Sequence, residues 1–560
     1  MKLSTLTLSL LLACGASMAS AADAKAAART ARQPFLWENA TVYFLLTDRF
    51  YNAKPGNDLA YGRQADAAPL RGFLGGDLAG ITAKIKSGYF KDLGVDVIWL
   101  TPPVEQIHAG TDEGSGKSYG FHGYWARDFT RVDANLGSEQ EMREFVATAH
   151  AHGIRVLLDV VMNHLGPVTD SDTVWPEDWV RTGPACTYKD TASTVGCTLV
   201  KNLPDIRTES KSDTALPPVL VAKWKAEGRY EKEMQELDAF FARTGWPRAP
   251  RYYLIKWHAD WVRKYGVDGF RADTVKHTEP EVWQELKQEA SLAYEEWKQG
   301  HAAEKLGEQK FFMTAEVYNY TISDGVQFTL DGGQKIDYYR YGFDSMINFG
   351  FKSDAKQDYE ALFSSYAAKL HGPLQGKSVL NYISSHDDGS PYDAQRLRPI
   401  EAGTRLLLSP GAAQIYYGDE TTRVLTAPGA EGDANLRSPM NWQALAGKAS
   451  VNGYRVAEVR AHWSKLGLFR RAHPAVGAGL HTKLADAPYT FARTYQQDGI
   501  ADKVVVALDL PKTGRKAISV SGVFADGLKV RDYYSGKTAV VKDGKVQFDS
   551  KAAIALIAQE

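Results

Sequence analysis

Charged, histidine and amide side chains follow four separate apolar runs of this sequence. They are Asn163 and His164 after residues 156–161, Asp273 with Lys276 and His277 after residues 269–272, Glu316 after residues 311–315, and His386 with Asp387 after residues 379–383. A single such ending is more often a solvated strand terminus or a helix cap. Four together, with no HExxH zinc motif and no cysteine nucleophile, favour acid/base chemistry by paired carboxylates.

The neighbours of two of these acids suggest different roles. Arg271 stands two residues before Asp273, so in a strand both side chains point the same way. Its positive charge should keep Asp273 ionised, which is the state of a nucleophile. Glu316 follows apolar residues and has no basic residue in its own strand, so we expect a raised pKa and a proton-donor role.

The elements that must position these acids alternate from about residue 40 to residue 460. Short apolar runs separated by helix-like stretches are typical of a parallel α/β architecture. The eight candidate strands are residues 42–46, 95–100, 156–161, 269–273, 311–316, 343–347, 379–383 and 413–417, of which the sixth is the weakest. Eight strands favour a (β/α)8 TIM barrel, whose active-site face collects the carboxyl ends of all its strands.

Two other regions interrupt or follow this pattern. The connection after the third strand is too long for an ordinary crossover, so we predict an inserted small domain over residues 166–250, between barrel segments 36–165 and 251–470. Beyond about residue 472, alternating segments such as 503–508 and 517–520 predict a C-terminal antiparallel β-sandwich domain over residues 471–560.

The overall composition constrains the partners. The chain has 560 residues, 44% of them hydrophobic, enough for a large core. Its 66 basic and 67 acidic residues nearly cancel, so nothing recruits nucleic acid or an anionic membrane surface. We expect a neutral substrate and a monomeric protein.

The N-terminus resembles a secretion signal. Lys2 precedes an apolar run at residues 3–13 and a small-residue site ending at Ala21, which predicts a signal peptide over residues 1–21 and a periplasmic or secreted protein. The run is shorter than the ~20 residues of a membrane anchor. A lipoprotein tether through Cys14 is a further alternative, because residues 11–14 approximate a lipoprotein box.

Cleavage of this leader leaves an even pair of cysteines, Cys186 and Cys197, in a loop-like segment. In an exported protein we predict that they form a disulfide. The alternative is two unrelated thiols.

Several motifs together resemble glycoside hydrolase family 13, the α-amylase family, over essentially the whole mature chain. The four principal matches are residues 159–164, 269–277, 314–317 and 385–387, with supporting matches at 99–102, 122–125, 203–206 and 415–420. The resemblance implies retaining hydrolysis of α-1,4-glucosidic bonds in starch, glycogen or maltodextrins. The Ser-Ser-His-Asp form at residues 384–387, the leader and the paired cysteines are similar to the periplasmic α-amylases of Gram-negative bacteria.

The resemblance also implies residue roles. Asp273 would be the nucleophile, Glu316 the general acid/base and Asp387 the third carboxylate. The implied sugar contacts are Tyr124, His164, Arg271 and His386 at the cleavage point, Lys276 and His277 on the leaving-group side, and Asp433 and Arg437 further away. Family members also hold Ca²⁺, here implied at Asn163, Asp205 and the carbonyl of His277. Ser385 replaces the asparagine of chloride-activated members, so chloride is not expected.

Other functions remain as alternatives. Within the family these are cyclomaltodextrinase, α-glucosidase and maltooligosaccharide-forming activities. A barrel can also bind carbohydrate without catalysis. Residues 116–120 match the GxSxG pattern of serine esterases, but they lie in a Gly/Ser-rich loop rather than between a strand and a helix.

Overall fold

The computed structural model describes residues 35–112, 114–497, 499–512 and 515–560. The predicted signal peptide and Cys14 lie outside these residues. Among the helices of the described ranges, none has both the length and the apolar character needed to cross a bilayer.

Eight parallel strands close into a barrel, which confirms the predicted (β/α)8 fold. They are β1 Thr41–Leu45, β2 Val97–Leu100, β3 Arg155–Val160, β4 Gly269–Ala272, β5 Phe312–Ala315, β6 Ser345–Asn348, β7 Ser378–Tyr382 and β8 Ala412–Tyr416. Closure occurs at β1, where Phe44 lies opposite Trp99 of β2 on one side and Tyr416 of β8 on the other. All eight predicted strands are present, including the weak sixth.

Every residue of these strands is buried, because side chains of one face fill the barrel and those of the other meet the helices. This two-sided burial explains why the strands read as continuous apolar runs rather than as alternating ones. The helices that cover the barrel are Leu78–Lys86, Glu139–Ala151, Pro250–Tyr265, Pro280–Gly300, Tyr359–Leu370, Pro399–Leu407 and Val456–Ala472.

Local sequence signals set several helix ends. Ser138 and Glu141 form a reciprocal capping box at the start of Glu139–Ala151. Helix Pro250–Tyr265 begins with proline, whose fixed φ suits a first turn, and ends at Gly266 in the left-handed conformation.

The connection from β5 to β6 departs from the regular repeat. Residues 316–344, all of which the structure describes, contain a short hairpin of Phe328–Thr329 with Lys335–Ile336 and the 3-10 turns Ile322–Asp324 and Tyr338–Tyr341, but no α-helix. The sixth strand was weak in sequence because neither a helix before it nor a long apolar run marks it.

The inserted domain follows β3. It contains paired two-residue strands, Val180–Arg181 with Asp205–Ile206, and the helices Thr191–Val195, Pro218–Ala226 and Tyr230–Thr244. Lys223 joins it to the barrel through Asp128 at 2.6 Å and Glu105 at 2.8 Å. The predicted bond between Cys186 and Cys197 is present.

The C-terminal domain is antiparallel, as predicted. Its main sheet has the spatial order Leu480–Asp486, Tyr489–Gln497, Ile500–Ala507, Ala555–Gln559, Lys529–Asp532 and Thr538–Val540, and a second pair joins Arg515–Ser519 to Lys545–Asp549. Val505, Ile518 and Ile557 belong to the core of this domain. Arg493 is fully buried and donates to the carbonyl of Leu408, so the domain is fixed against the barrel.

Candidate active site

Two carboxylates leave adjacent strands at the same end of the barrel. Asp273 follows β4 and its amide donates to Val160 of β3 at 2.9 Å, while Glu316 follows β5 and its amide donates to Ala272 at 2.9 Å. The strands approach closely because β4 begins at Gly269, where a Cβ would lie 2.4 Å from the carbonyl oxygen of Phe312. The predicted nucleophile and proton donor are therefore neighbours.

Arg271 joins three carboxylates. Its Nη1 lies 2.7 Å from Oδ1 of Asp273 and 3.0 Å from Oδ1 of Asp159, and its Nη2 lies 3.1 Å from Oε2 of Glu316. The side chain is 1% exposed. A planar guanidinium suits this arrangement because its donors reach several acceptors in fixed directions.

The two carboxyl groups have different proton affinities. Burial raises the pKa of Glu316 to about 7; the charges of Asp273 and Asp387 add to this shift and Arg271 opposes it. Burial also raises the pKa of Asp273 to about 6 against the opposing charge of Arg271. The closer contact of Arg271 with Asp273 than with Glu316 favours ionisation of Asp273 first, which is the order that a nucleophile and a proton donor require.

Thr274 adopts an unusual conformation between these acids. Its φ is 47°, in the left-handed region that a β-branched residue rarely enters. In this conformation its amide donates to Oε2 of Glu316 at 2.9 Å. Backbone strain of this kind is concentrated at functional sites, where surrounding structure holds it in place.

Asp387 enters the same site from the loop after β7. Partial burial raises its pKa, but the contact with Nε2 of His386 at 2.9 Å and with Nη2 of Arg437 at 2.6 Å holds the pKa well below its usual range. Asp433 lies 2.7 Å from the same Arg437 nitrogen. Of the two residues predicted to contact more distant sugar units, Arg437 thus contacts Asp387 directly, and Asp433 is connected to it through Arg437.

Aromatic side chains line the site opposite these acids. Tyr124 donates its hydroxyl to Asp159 at 2.8 Å and stacks on His386 with ring centroids 5.3 Å apart. Nε2 of His164 lies 3.1 Å from the carbonyl oxygen of Tyr124. Trp99 donates to Asp159 at 3.0 Å. Sequence reasoning missed Asp159 and Trp99, although a carboxylate inside an apolar run was a usable signal.

Lys276 and His277 have different surroundings. The ammonium of Lys276 lies 5.1 Å from the ring centroid of Tyr188 and 5.4 Å from that of Tyr318. The ring of His277 is turned toward the inserted domain, with Nδ1 at 3.1 Å from the carbonyl oxygen of Thr194. The two tyrosines come from different regions of the chain, so no local pattern marked them.

Asn163 and Asp205 also meet, as their predicted metal role requires. The segment near Asp205 pairs with the segment after β3, and Nδ2 of Asn163 donates to Oδ2 of Asp205 at 3.1 Å. Oδ1 of Asp205 is buried without a hydrogen-bond partner. Burial raises the pKa of Asp205 to about 7. An amide and a carboxylate oxygen are hard ligands of the type that Ca²⁺ prefers, so these residues fit the ion.

The GxSxG segment has the wrong context for a serine esterase. Ser118 is 2% exposed and lies in the two-residue strand Lys117–Ser118, paired with Thr111–Asp112. A nucleophile elbow requires an exposed serine between a strand and a helix.

Comparison with known proteins gives consistent matches. Residues 44–454 match a family model described as alpha amylase, catalytic domain. The periplasmic alpha-amylase of Escherichia coli is 36% identical over 525 residues, covering 83% of this chain and 72% of the relative. A cyclomaltodextrin glucanotransferase of Niallia circulans is 27% identical, covering 78% of this chain but only 54% of the relative. An Anoxybacillus alpha-amylase structure has a TM-score of 0.62 at 22% identity, covering 94% and 99% of the two chains.

Proposed function

The chain belongs to the α-amylase family of glycoside hydrolases, and we propose that it cleaves α-1,4-glucosidic bonds of starch, glycogen or maltodextrins with retention of anomeric configuration. The observation that carries the mechanism is the shared guanidinium of Arg271, which contacts both Asp273 and Glu316. Because one guanidinium contacts both carboxylates, the two groups lie near each other. This arrangement supports the short separation of about 5 to 5.5 Å between the catalytic carboxyl groups of retaining enzymes.

The chemistry proceeds in two displacements. Glu316 donates its proton to the glycosidic oxygen while Asp273 attacks the anomeric carbon, so the carbon–oxygen bond to the leaving sugar breaks and an ester to Asp273 forms. Water then attacks the same carbon while Glu316 takes a proton from the water, and the ester bond between this carbon and Asp273 breaks. Arg271 keeps the attacking carboxylate charged, and ionised Asp387 faces the sugar where positive charge develops.

The decisive test uses Asp273→Asn, which preserves shape but removes the attacking charge. Hydrolysis of maltoheptaose should fall by several orders of magnitude, with an unchanged circular dichroism spectrum. For the wild type, NMR of freshly released products should show the α-anomer. Initial release of the β-anomer, or near-normal activity of Asp273→Asn, would contradict the proposal.

A second candidate within the family is transfer to a sugar acceptor instead of water. It is favoured by the similarity to a cyclomaltodextrin glucanotransferase and by the rings of Tyr188 and Tyr318 beside Lys276, where an acceptor sugar would stack. A time course of the products formed from maltoheptaose distinguishes the two, because transfer yields cyclic or longer products whereas hydrolysis yields only shorter ones.

For calcium, we propose a site formed by Asn163, Asp205 and the backbone carbonyl of His277. The unpartnered buried oxygen of Asp205 supports it. The ion would tie the inserted domain to the strand ends, since Asn163 follows β3 and Asp205 belongs to the insertion. The ion would therefore have a structural role and would take no part in the proton transfers of Glu316.

We also propose that the protein acts in the periplasm or outside the cell as a monomer. The similarity to a periplasmic relative and the disulfide of Cys186 with Cys197 support export.

A further inference from the structure

The wall of the catalytic cavity carries a carboxylate that the mechanism above does not use. Asp388 follows Asp387 directly, and both line the same cavity as Glu316. The side chain of Asp388 is only 10% exposed. An uncompensated carboxylate here would disfavour ionisation of Glu316, because like charges in a poorly hydrated site repel.

Lys352 supplies a compensating charge. It lies on the short helix Phe351–Asp354 that follows β6, and its ammonium forms an ion pair with Asp388. Tyr382 of β7 donates its hydroxyl to Oδ2 of Asp388 at 2.8 Å, and the amide of Ser390 donates to Oδ1 at 3.0 Å. These contacts connect β6, β7 and the loop that carries His386 and Asp387.

We propose that Lys352 is a positioning residue of the reaction: by pairing with Asp388 it neutralises the additional carboxylate of the cavity and holds the loop after β7 in place. The inference rests on the proposed function, because it takes Glu316 as the proton donor. Lys352 is not among the described residues that line the cavity, so it acts through Asp388.

Other charged and titratable groups face Glu316 from several elements. They are Asp159 behind Arg271 from β3, Arg271 and Asp273 from β4, Lys276 from the turn after it, Tyr382 from β7, and His386 and Asp387 from the following loop, with Arg437 beyond them. None of these residues is replaced in the Lys352 and Asp388 variants. Among them Tyr382 contacts Asp388, and an asparagine oxygen at position 388 can still accept the hydrogen bond from its hydroxyl.

The test measures kcat/KM for maltoheptaose against pH in Lys352→Met, Asp388→Asn and the double variant. Activity on the basic side requires Glu316 to keep its proton. The basic limb of the profile is the fall in kcat/KM at high pH, where Glu316 loses its proton. Lys352→Met leaves the charge of Asp388 uncompensated and should shift this limb to higher pH by about 0.3–0.5 pH unit. Asp388→Asn leaves the charge of Lys352 unpaired and should shift the limb to lower pH. The double variant should return close to the wild type.

Two controls make the outcome specific. Lys305→Met breaks an exposed ion pair with Glu308, 2.5 Å long, and should leave the pH profile unchanged. Lys352→Arg keeps the charge and should keep the wild-type basic limb. If Lys352→Met fails to fold, the downward shift of Asp388→Asn and its absence from Lys352→Arg still decide the question.

A purely structural role would lower kcat without moving the basic limb. An unmoved basic limb in Asp388→Asn, and in Lys352→Met where that variant folds, would therefore overturn this inference. Failure of the proposed function has a different signature, namely a wild type inactive on maltoheptaose or full activity in Glu316→Gln.

Discussion

Replacement of Glu316 by glutamine should abolish most activity and yet stabilise the protein at alkaline pH. Burial raises the pKa of this carboxyl group to about 7 in the folded protein, whereas an unfolded chain has a value of about 4.3. Below pH ~4 both states hold the proton, and the group makes no pH-dependent contribution. Between pH ~4 and pH ~7 the unfolded chain has released this proton while the folded protein still holds it. The free energy of unfolding of the wild type therefore falls by about 1.4 kcal/mol per pH unit across this range.

The loss is complete above pH ~7, where it amounts to about 4 kcal/mol. Glutamine carries no such proton, so the free energy of unfolding of Glu316→Gln relative to wild type should rise by about 2.5 kcal/mol between pH 5 and pH 8. Hydrolysis should fall by about 10²–10⁴-fold, the usual contribution of a general acid.

Urea unfolding followed by tryptophan fluorescence at both pH values, at constant calcium concentration, measures this difference. Glu177→Gln is the matched control, because Glu177 is exposed; its effect should be the same at pH 5 and pH 8. A difference between Glu316→Gln and wild type that does not change with pH would refute the reasoning.

Three further predictions concern the inserted domain. A calcium chelator should lower the melting temperature of the wild type but have little effect on Asp205→Ala, which lacks the unpartnered carboxylate; equal melting of the wild type with and without chelator would contradict the calcium site. Replacing Cys186 and Cys197 by serine opens a loop with a sequence separation of 11 and should cost about 3 kcal/mol of unfolding free energy by denaturant titration. The same variant should raise KM for maltoheptaose, because the carbonyl of Thr194, which contacts His277, lies inside that loop; an unchanged KM would show that the loop does not support the leaving-group side.

Much of the fold could be read from local patterns. Apolar runs buried on both faces mark the barrel strands, and capping residues and glycines mark helix ends. The exception was β6, because a connection without an α-helix precedes it. The domain boundaries at residues 166–250 and 471–560 stay predictions, since contacts such as that of Lys223 with Asp128 join insertion and barrel closely.

The candidate site was less completely predictable. Asp273, Glu316 and Asp387 were visible because each follows an apolar run, and a parallel barrel gathers such endings on one face. The roles of Tyr188 and Tyr318 were not visible, because the chain between them contains no signal for their common position beside Lys276.

The sequence by itself determined the family and the barrel and predicted the three acids, because strand ends and motifs are local properties of the chain. Only the tertiary structure decided their charges. Arg271 touches Glu316 from the neighbouring strand, where the sequence of β5 had suggested no basic partner, and Arg437 reaches Asp387 across 50 residues. Proton affinity depends on burial and on distances through space, and folding alone sets both.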